Sequence, residues 1–287
     1  MGRFHRHDDG TTHSHDHDHA GHDHHHGHPH DHDHEHGHPH EHPHDHEHTP
    51  DPERAELIGD HSGYSTGGER IQVLERIFDE NDRAAETNRS LLDTADVTAI
   101  NLMSSPGAGK TTLLVATLSA LQDRVRCGVI EGDIETSIDA DRLEGFGAQI
   151  SLLNTGDGFG GECHLDAPMV ATALTRLNLE DLDLLFIENV GNLVCPAEFD
   201  VGAHRRAMVA SVTEGEDKPL KYPVMFRSVD AVVINKIDLL PYLDFDIDQF
   251  QANITAINPT ATIFLTSTKT GEGLHEWIDW VQSGTVN

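Results

Sequence analysis

The sequence predicts an α/β fold: a mostly parallel sheet with helices on both faces, preceded by a disordered His-rich tail. Two contrasts along the chain point there. From about residue 95 to residue 287, short apolar runs alternate with helical stretches, the pattern of strands joined through helices into a parallel sheet. Before residue 49 the chain is mostly His, Asp, Glu, Gly and Pro, with too little apolar surface to offset the entropy lost on ordering.

The tail covers residues 1–48; of 25 histidines only His61, His164, His204 and His275 lie beyond it. A linker rich in Pro, Gly, Ser and Asp follows over 49–68. Over 69–94, Ile71, Leu74, Phe78, Ala85 and Leu92 recur at helical spacing between charged residues, which predicts an amphipathic helix. That helix either lies along the edge of the next domain or contacts a second subunit. The domain, 95–287, has strand candidates at 97–103, 126–132, 148–154, 182–188, 207–215, 231–236 and 261–267.

Composition excludes some functions. Asp and Glu total 50 against 19 Lys and Arg, a formal charge of −31 without a basic stripe, so nucleic acid is not an expected partner. Three scattered cysteines do not make the disulfide framework of a small secreted protein, which favours a reducing, cytoplasmic setting. The opening MGRFHRHDDG lacks an apolar signal core, and no run approaches the roughly 18 to 20 residues of a membrane span, so no membrane association is expected.

The stretch SSPGAGKTT lies between a strand candidate and a helical run, where successive backbone N–H groups surround phosphate oxygens at a helix N-terminus. Pro106, Gly107, Ala108, Gly109, Lys110, Thr111 and Thr112 form this P-loop, with Ser104 where the general pattern has Gly. Lys110 would reach the β- and γ-phosphates and Thr111 would hold Mg²⁺. Downstream, VVINKID ends a strand with Asn235, Lys236 and Asp238. A carboxylate at Asp238 accepts from guanine N1–H and the 2-amino group, a donor pair that adenine lacks. Lys236 would lie along the base and Asn235 would brace the neighbouring loops. In TSTKTGEG, Ser267, Thr268 and Lys269 would support the base from the next loop. Asp133 and Glu188 also end strands, and either could coordinate Mg²⁺ directly or through water. Every one of these loops follows a strand, so a parallel sheet gathers them along its carboxyl edge. A P-loop kinase would account for the phosphate loop but not for the other two, and GTP is the expected nucleotide.

Cys127, inside RCGVI, reads as small apolar filler. Cys163 with His164, in GGECHLDAP, and Cys195, in ENVGNLVCPAEF, sit in Gly- or Pro-rich loops, and thiolate with imidazole suits Zn²⁺ or Ni²⁺.

The stretches NDRAAETNR, SSPGAGKTT, EGDIETSIDADR, CHLDAPMV, IENVGNLVCPAEFD, KYPVMFRSVDAVVINKIDLLP and STKTGEGL together resemble the hydrogenase nickel-incorporation GTPases, the HypB family of P-loop metallochaperone GTPases, over about residues 69–285. The resemblance implies a P-loop GTPase domain, slow Mg²⁺-dependent GTP hydrolysis and a role for Lys110, Thr111, Asp133 and Glu188 in it. It also implies Ni²⁺ as cargo, with Zn²⁺ as the alternative, bound by Cys163, His164 and Cys195. The implied partners are a second copy of the chain, in a homodimer promoted by GTP and metal, and other hydrogenase maturation factors. The family's initial Ser in the phosphate loop matches Ser104. The Gly-rich NTGDGFGGECHL departs from shorter members, and the Cys-rich N-terminal motif of some members is absent. The urease accessory GTPases are similar but carry Cys-Pro-His where this chain has LVCPAEF, and the GCxCC of the zinc-handling GTPases is missing. A passive nickel or zinc store is the alternative of a different class.

Neutral imidazole is a good borderline ligand, and an unperturbed His titrates near ~6.5, so the tail can bind metal at neutral pH. Its expected ligands are His13, His15, His17, His19, His22, His24, His25, His26, His28, His30, His32, His34, His36, His38, His40, His42, His44, His46 and His48. A flexible tract of this length has an end-to-end distance on the order of 40 Å, enough to reach a metal site on its own domain.

Overall fold

The computed structural model describes residues 5–6, 12–13, 67–132, 143, 145–153 and 164–284, with side chains described from residue 75 onward. The rest of the expected tail, the linker up to residue 66, Asp133 and Cys163 lie outside the described residues. The chain divides into two units, Met1–Ser62 and Gly63–Asn287. In the first, His5 pairs with His13 and Arg6 with Thr12, antiparallel.

The second unit is built on seven strands: β1 (Thr98–Ser104), β2 (Cys127–Glu131), β3 (Gln149–Leu152), β4 (Leu184–Glu188), β5 (Arg205–Ser211), β6 (Ala231–Asn235) and β7 (Thr262–Leu265). Their order is β3-β2-β4-β1-β5-β6-β7, and every neighbouring pair is parallel. β1, β2, β4 and β6 are buried along their whole length, which is why they read as continuous apolar runs instead of alternating ones. The helices are α1 (Gly67–Thr94), α2 (Lys110–Leu121), α3 (Ala167–Leu174), α4 (Cys195–Glu198), α5 (Lys218–Lys221), α6 (Pro223–Arg227), α7 (Ile247–Ile257) and α8 (Leu274–Gln282).

Three apolar clusters fill the spaces between sheet and helices. One joins Leu113, Leu114 and Leu118 of α2 and Trp277 of α8 to the sheet. A second joins Leu92 of α1 and Val170 and Leu174 of α3 to Ile130, Leu185 and Ile187. The third packs Phe226 of α6 and Phe250 and Ile254 of α7 on Met208, Val232 and Ile234. Trp277 is large and fully buried, and its indole N–H donates to Thr117 Oγ1 at 2.9 Å, satisfying its one donor.

Parallel register fixes where the strands end. Leu102 and Glu131 both sit opposite Glu188, Ser211 opposite Asn235, and Ile234 opposite Leu265. The loops leaving β1, β4, β6 and β7 therefore emerge side by side at one sheet edge.

α1 lies along the domain through its second half. Ala85 and Leu92 are buried, while Ile77 and Leu91 remain exposed. Gly202, at φ +86°, permits this close approach: a Cβ there would lie 2.7 Å from Asn88 Cβ. Beside it, Asp200 pairs with Arg89 of α1 at 2.8 Å and with Arg206 of β5 at 3.2 Å. Burial pushes the Asp200 carboxyl up, but the Gly202 N–H, Arg89 and Arg206 together outweigh it and hold the group below the usual carboxylate range. Its stabilising effect is thus fully present above the unfolded pKa of about 3.9 and is lost as pH falls through the lower folded value. Thermal unfolding of the wild type and Asp200→Asn should differ at neutral pH, and the gap should close in acid. A gap that persists unchanged well below pH ~3 would show that this carboxylate does not anchor α1.

Candidate nucleotide and metal site

The phosphate loop is shaped by two left-handed glycines. Gly107 has φ +74°, and Gly109, the N-cap of α2, has φ +96°. A Cβ at Gly109 would lie 2.6 Å from Asn235 Nδ2, so the second glycine answers to a residue 126 positions away as well as to its own backbone. Asn235 Nδ2 donates to the Ala108 carbonyl at 3.2 Å, and Lys236 Nζ to the Gly107 carbonyl at 2.6 Å. Lys236 itself occupies the left-handed region at φ 64°, uncommon for a long side chain and characteristic of functional loops. Pro106 and Gly107 are exposed and Ala108 is buried; Thr112, in the first turn of α2, is exposed.

At the base of this loop Lys110 Nζ lies 2.9 Å from Glu188 Oε1, and Thr111 Oγ1 donates to the same oxygen at 2.6 Å. Glu188 is completely buried, and its Oε2 has no hydrogen-bond partner among the described residues. A buried carboxylate oxygen without a donor is costly, and a hard divalent cation beside the Thr111 hydroxyl would satisfy it. Glu188 and Thr111 therefore fit Mg²⁺. When bound, such an ion neutralises charge on the β- and γ-phosphates.

The loops after β6 and β7 are organised in the same way. Ser267 Oγ donates to Asp238 Oδ1 at 2.7 Å, and Lys269 Nζ stands 3.8 Å from Asp238 Oδ2. The Thr268 N–H donates to Asn235 Oδ1 at 3.4 Å, so Asn235 ties the loop after β7 to the phosphate loop. Asp238 is thereby aimed by side chains whose own loops are held in place.

Sequence reasoning missed Glu214. The expected strand 207–215 stops at Ser211 in β5, because Glu214 N–H turns back to the Ser211 carbonyl at 3.1 Å and Gly215 adopts φ +90°. Glu214 then accepts from Ser105 Oγ in the phosphate loop and pairs with Lys218 at 2.9 Å. The sequence signal was Gly215, a turn former inside a supposed strand.

His164 and Cys195 both lie just before or at a helix start. Asp166 caps α3 by accepting from Met169 N–H at 2.8 Å, and Pro168 occupies its first turn. Cys195 opens α4 ahead of Pro196, and Asn192 Nδ2 approaches its Sγ at 3.6 Å. The two loops meet through Phe199, whose ring lies 4.2 Å from that of His164. Among the described residues no three His, Cys, Asp or Glu side chains converge on one point, so His164 and Cys195 need further donors for a four-ligand set. Cys127 is different in kind: burial, with Asp183 adding to it, pushes its thiol up to about 12, so it is neutral and a poor ligand.

One residue joins the two halves of the site. Asn189, fully buried and next to Glu188, accepts from the Leu165 N–H at 2.9 Å, so the strand end carrying Glu188 holds the backbone beside His164.

The model of the CobW/HypB/UreG nucleotide-binding domain matches residues 98–265. Over 225 residues the chain is 48% identical to hydrogenase maturation factor HypB of Escherichia coli (strain K12), covering 78% of this chain and 76% of that protein. The chain belongs to the HypB family. Its identity to the HypB of Rhizobium leguminosarum bv. viciae is 49% over 212 residues, covering 74% of this chain and 70% of that one. The crystal structure of HypB from Archaeoglobus fulgidus has a TM-score of 0.66 and 41% identity, covering 71% of this chain and 98% of that chain. HypB from Helicobacter pylori in complex with nickel also gives 0.66, with 38% identity, 71% of this chain and 94% of that chain. The seven-stranded parallel sheet is thus the P-loop GTPase fold of HypB, as the sequence predicts. Among the described residues no helix is long and apolar enough to cross a membrane.

Proposed function

We propose that this HypB-family chain is a GTP-hydrolysing nickel metallochaperone acting in hydrogenase maturation, with the 1–48 tail as metal store and the GTPase domain as switch. The observation that carries the reading is the continuity of Glu188, Asn189, Leu165 and His164, because it links the phosphate end of the site to a metal donor through one buried side chain. Cys195 follows Glu188 by only seven residues. A change at Glu188 on nucleotide exchange would then reach both donors. Lys110, Thr111 and Glu188 hold and neutralise the phosphates, with Asp133 as a further candidate; Asn235, Lys236, Asp238, Ser267, Thr268 and Lys269 select guanine. Metal binding by His164, Cys195 and Cys163 is short of a closed set in one copy, which supports a two-fold dimer in which each copy completes the other's site. Other hydrogenase maturation factors are the proposed partners, and Zn²⁺ is the competing cargo.

Coupling between the sites is reciprocal and on the order of 1 to 3 kcal/mol in proteins that use it. The test is a Ni²⁺ titration of the full chain and of a chain lacking residues 1–48, each with GDP or a non-hydrolysable GTP analogue. Truncation should remove most bound nickel with GTP turnover retained, and the remaining site should change affinity about five- to a hundredfold between nucleotides. Equal affinities in the two nucleotide states would leave a store without a switch. Unchanged nickel stoichiometry on truncation would remove the store.

A further inference from the structure

The stretch NDRAAETNR, residues 81–89 of α1, takes no part in the nucleotide site, yet two of its polar side chains are buried: Asn81 is 4% exposed and Asn88 2%. Asn is a poor helix former, and burying its amide in a helix interior requires partners. Those partners lie on two separate segments, the first residue of α3 and the stretch after α4. Asn81 Oδ1 accepts from the Ala167 N–H at 2.9 Å, and its Nδ2 donates to the Asp200 carbonyl at 2.9 Å. Asn88 Nδ2 donates to the Ala167 carbonyl at 2.9 Å and to the Val201 carbonyl at 3.1 Å. One turn before Asn81, Phe78 stacks on Phe199 at 5.1 Å, and Phe199 in turn packs on His164 at 4.2 Å.

Ala167 follows His164 by three residues, and Phe199, Asp200 and Val201 follow Cys195 by four to six. We propose that α1 is a clamp for the metal site: Phe78, Asn81 and Asn88 on one helix face hold the His164 loop and the Cys195 loop in register. These are positioning residues, acting on the donors through Phe199 and the two backbones. The inference rests on the metal reading of His164 and Cys195 given above. The two buried amides of α1 reach Ala167, Asp200 and Val201, all on the segments that carry His164 and Cys195. The clamp therefore bears on metal geometry, whereas Asn189 bears on its coupling to nucleotide. Partners of this kind around metal ligands change affinity by about 10- to 100-fold when lost.

The test uses the full chain and added Ni²⁺, read by the near-ultraviolet thiolate-to-nickel charge-transfer absorption. Every cysteine lies at 127, 163 or 195, so nickel held by the tail is silent in this band while competing equally in every variant. The wild type should develop the band, and Cys195→Ala should lose or shift it. Phe78→Leu and Asn81→Ala should each need about tenfold more nickel for half development. Phe78→Tyr keeps the ring stack and should restore the wild-type titration. Phe78 is only half-buried and stands outside the three apolar clusters, so Phe78→Leu leaves the core intact. Titrations of Phe78→Leu and Asn81→Ala that superimpose on the wild type would overturn the clamp while leaving the metal reading standing. No band in the wild type would overturn the metal reading, and the clamp with it.

Discussion

Lys110→Ala is expected to lower GTP turnover by at least about a hundredfold, the usual cost of removing one positioned charge from a developing oxyanion or phosphoryl group. The structure adds a second consequence. Lys110 Nζ is 2.9 Å from a carboxylate that is 0% exposed, so its removal leaves Glu188 buried with only the Thr111 hydroxyl on Oε1. Breaking one side of a buried pair typically costs about 3 to 5 kcal/mol, far more than the net worth of the pair. The nucleotide-free Lys110→Ala protein should therefore unfold at a clearly lower temperature. Lys110→Ala combined with Glu188→Gln should recover most of that stability, because no uncompensated charge remains, but none of the turnover. Single-turnover phosphate release and thermal unfolding read the two effects separately. Turnover within about threefold of wild type would remove Lys110 from the phosphate site.

Asp238→Asn should weaken GTP binding by about two to three orders of magnitude and improve binding of xanthosine triphosphate. Replacing one partner of a buried, hydrogen-bonded charge costs about 2 to 5 kcal/mol, mostly through the donors left unmatched. In the proposed site guanine would present two donors to Asp238; an amide can accept from only one and turns its NH₂ against the other. Xanthine carries a carbonyl at that second position and suits the amide. The geometry supports a clean exchange, since Ser267 Oγ can still donate to the Oδ1 of an Asn, and Lys269 at 3.8 Å makes only a long contact with the other oxygen. Competition binding with both triphosphates decides it. Full GTP affinity without any gain for the xanthine nucleotide would place the base elsewhere.

Much of this site was readable in the sequence for a simple physical reason. The phosphate loop is contiguous, and its chemistry is that of backbone N–H groups set by Gly107 and Gly109 in left-handed geometry ahead of a helix. Asp238 with Lys236, and Ser267 with Lys269, are likewise local motifs that each follow an apolar strand. The alternation of strands and helices determined a parallel sheet, and parallel strands must deliver their following loops to one edge. His164 and Cys195 were legible as candidate metal donors by residue type in Gly- or Pro-rich stretches, but the helix starts at Asp166 and Cys195 were not.

What the sequence could not decide was which distant elements these loops would meet. The order β3-β2-β4-β1-β5-β6-β7 brings the end of β4 next to β1, and only then does Glu188 face Lys110 across 78 positions of chain. Glu214 was hidden because a run of buried strand residues and a turn held by one carboxylate look alike until the carboxylate's partner, Ser105, is in place. Asn81 and Asn88 fall at helical spacing from Phe78, Ala85 and Leu92, on the face of α1 that packs inward, but nothing local says what satisfies their amides. Their burial is tolerable only because segments from 79 to 119 residues away present the matching carbonyls and N–H, and such long-range satisfaction has no local signature. The sequence by itself thus determined the chemical groups, the local loops that carry them and the sheet edge where they gather. The tertiary structure decided which groups confront one another, because hydrogen bonds between buried side chains and distant backbone depend on strand order and helix placement.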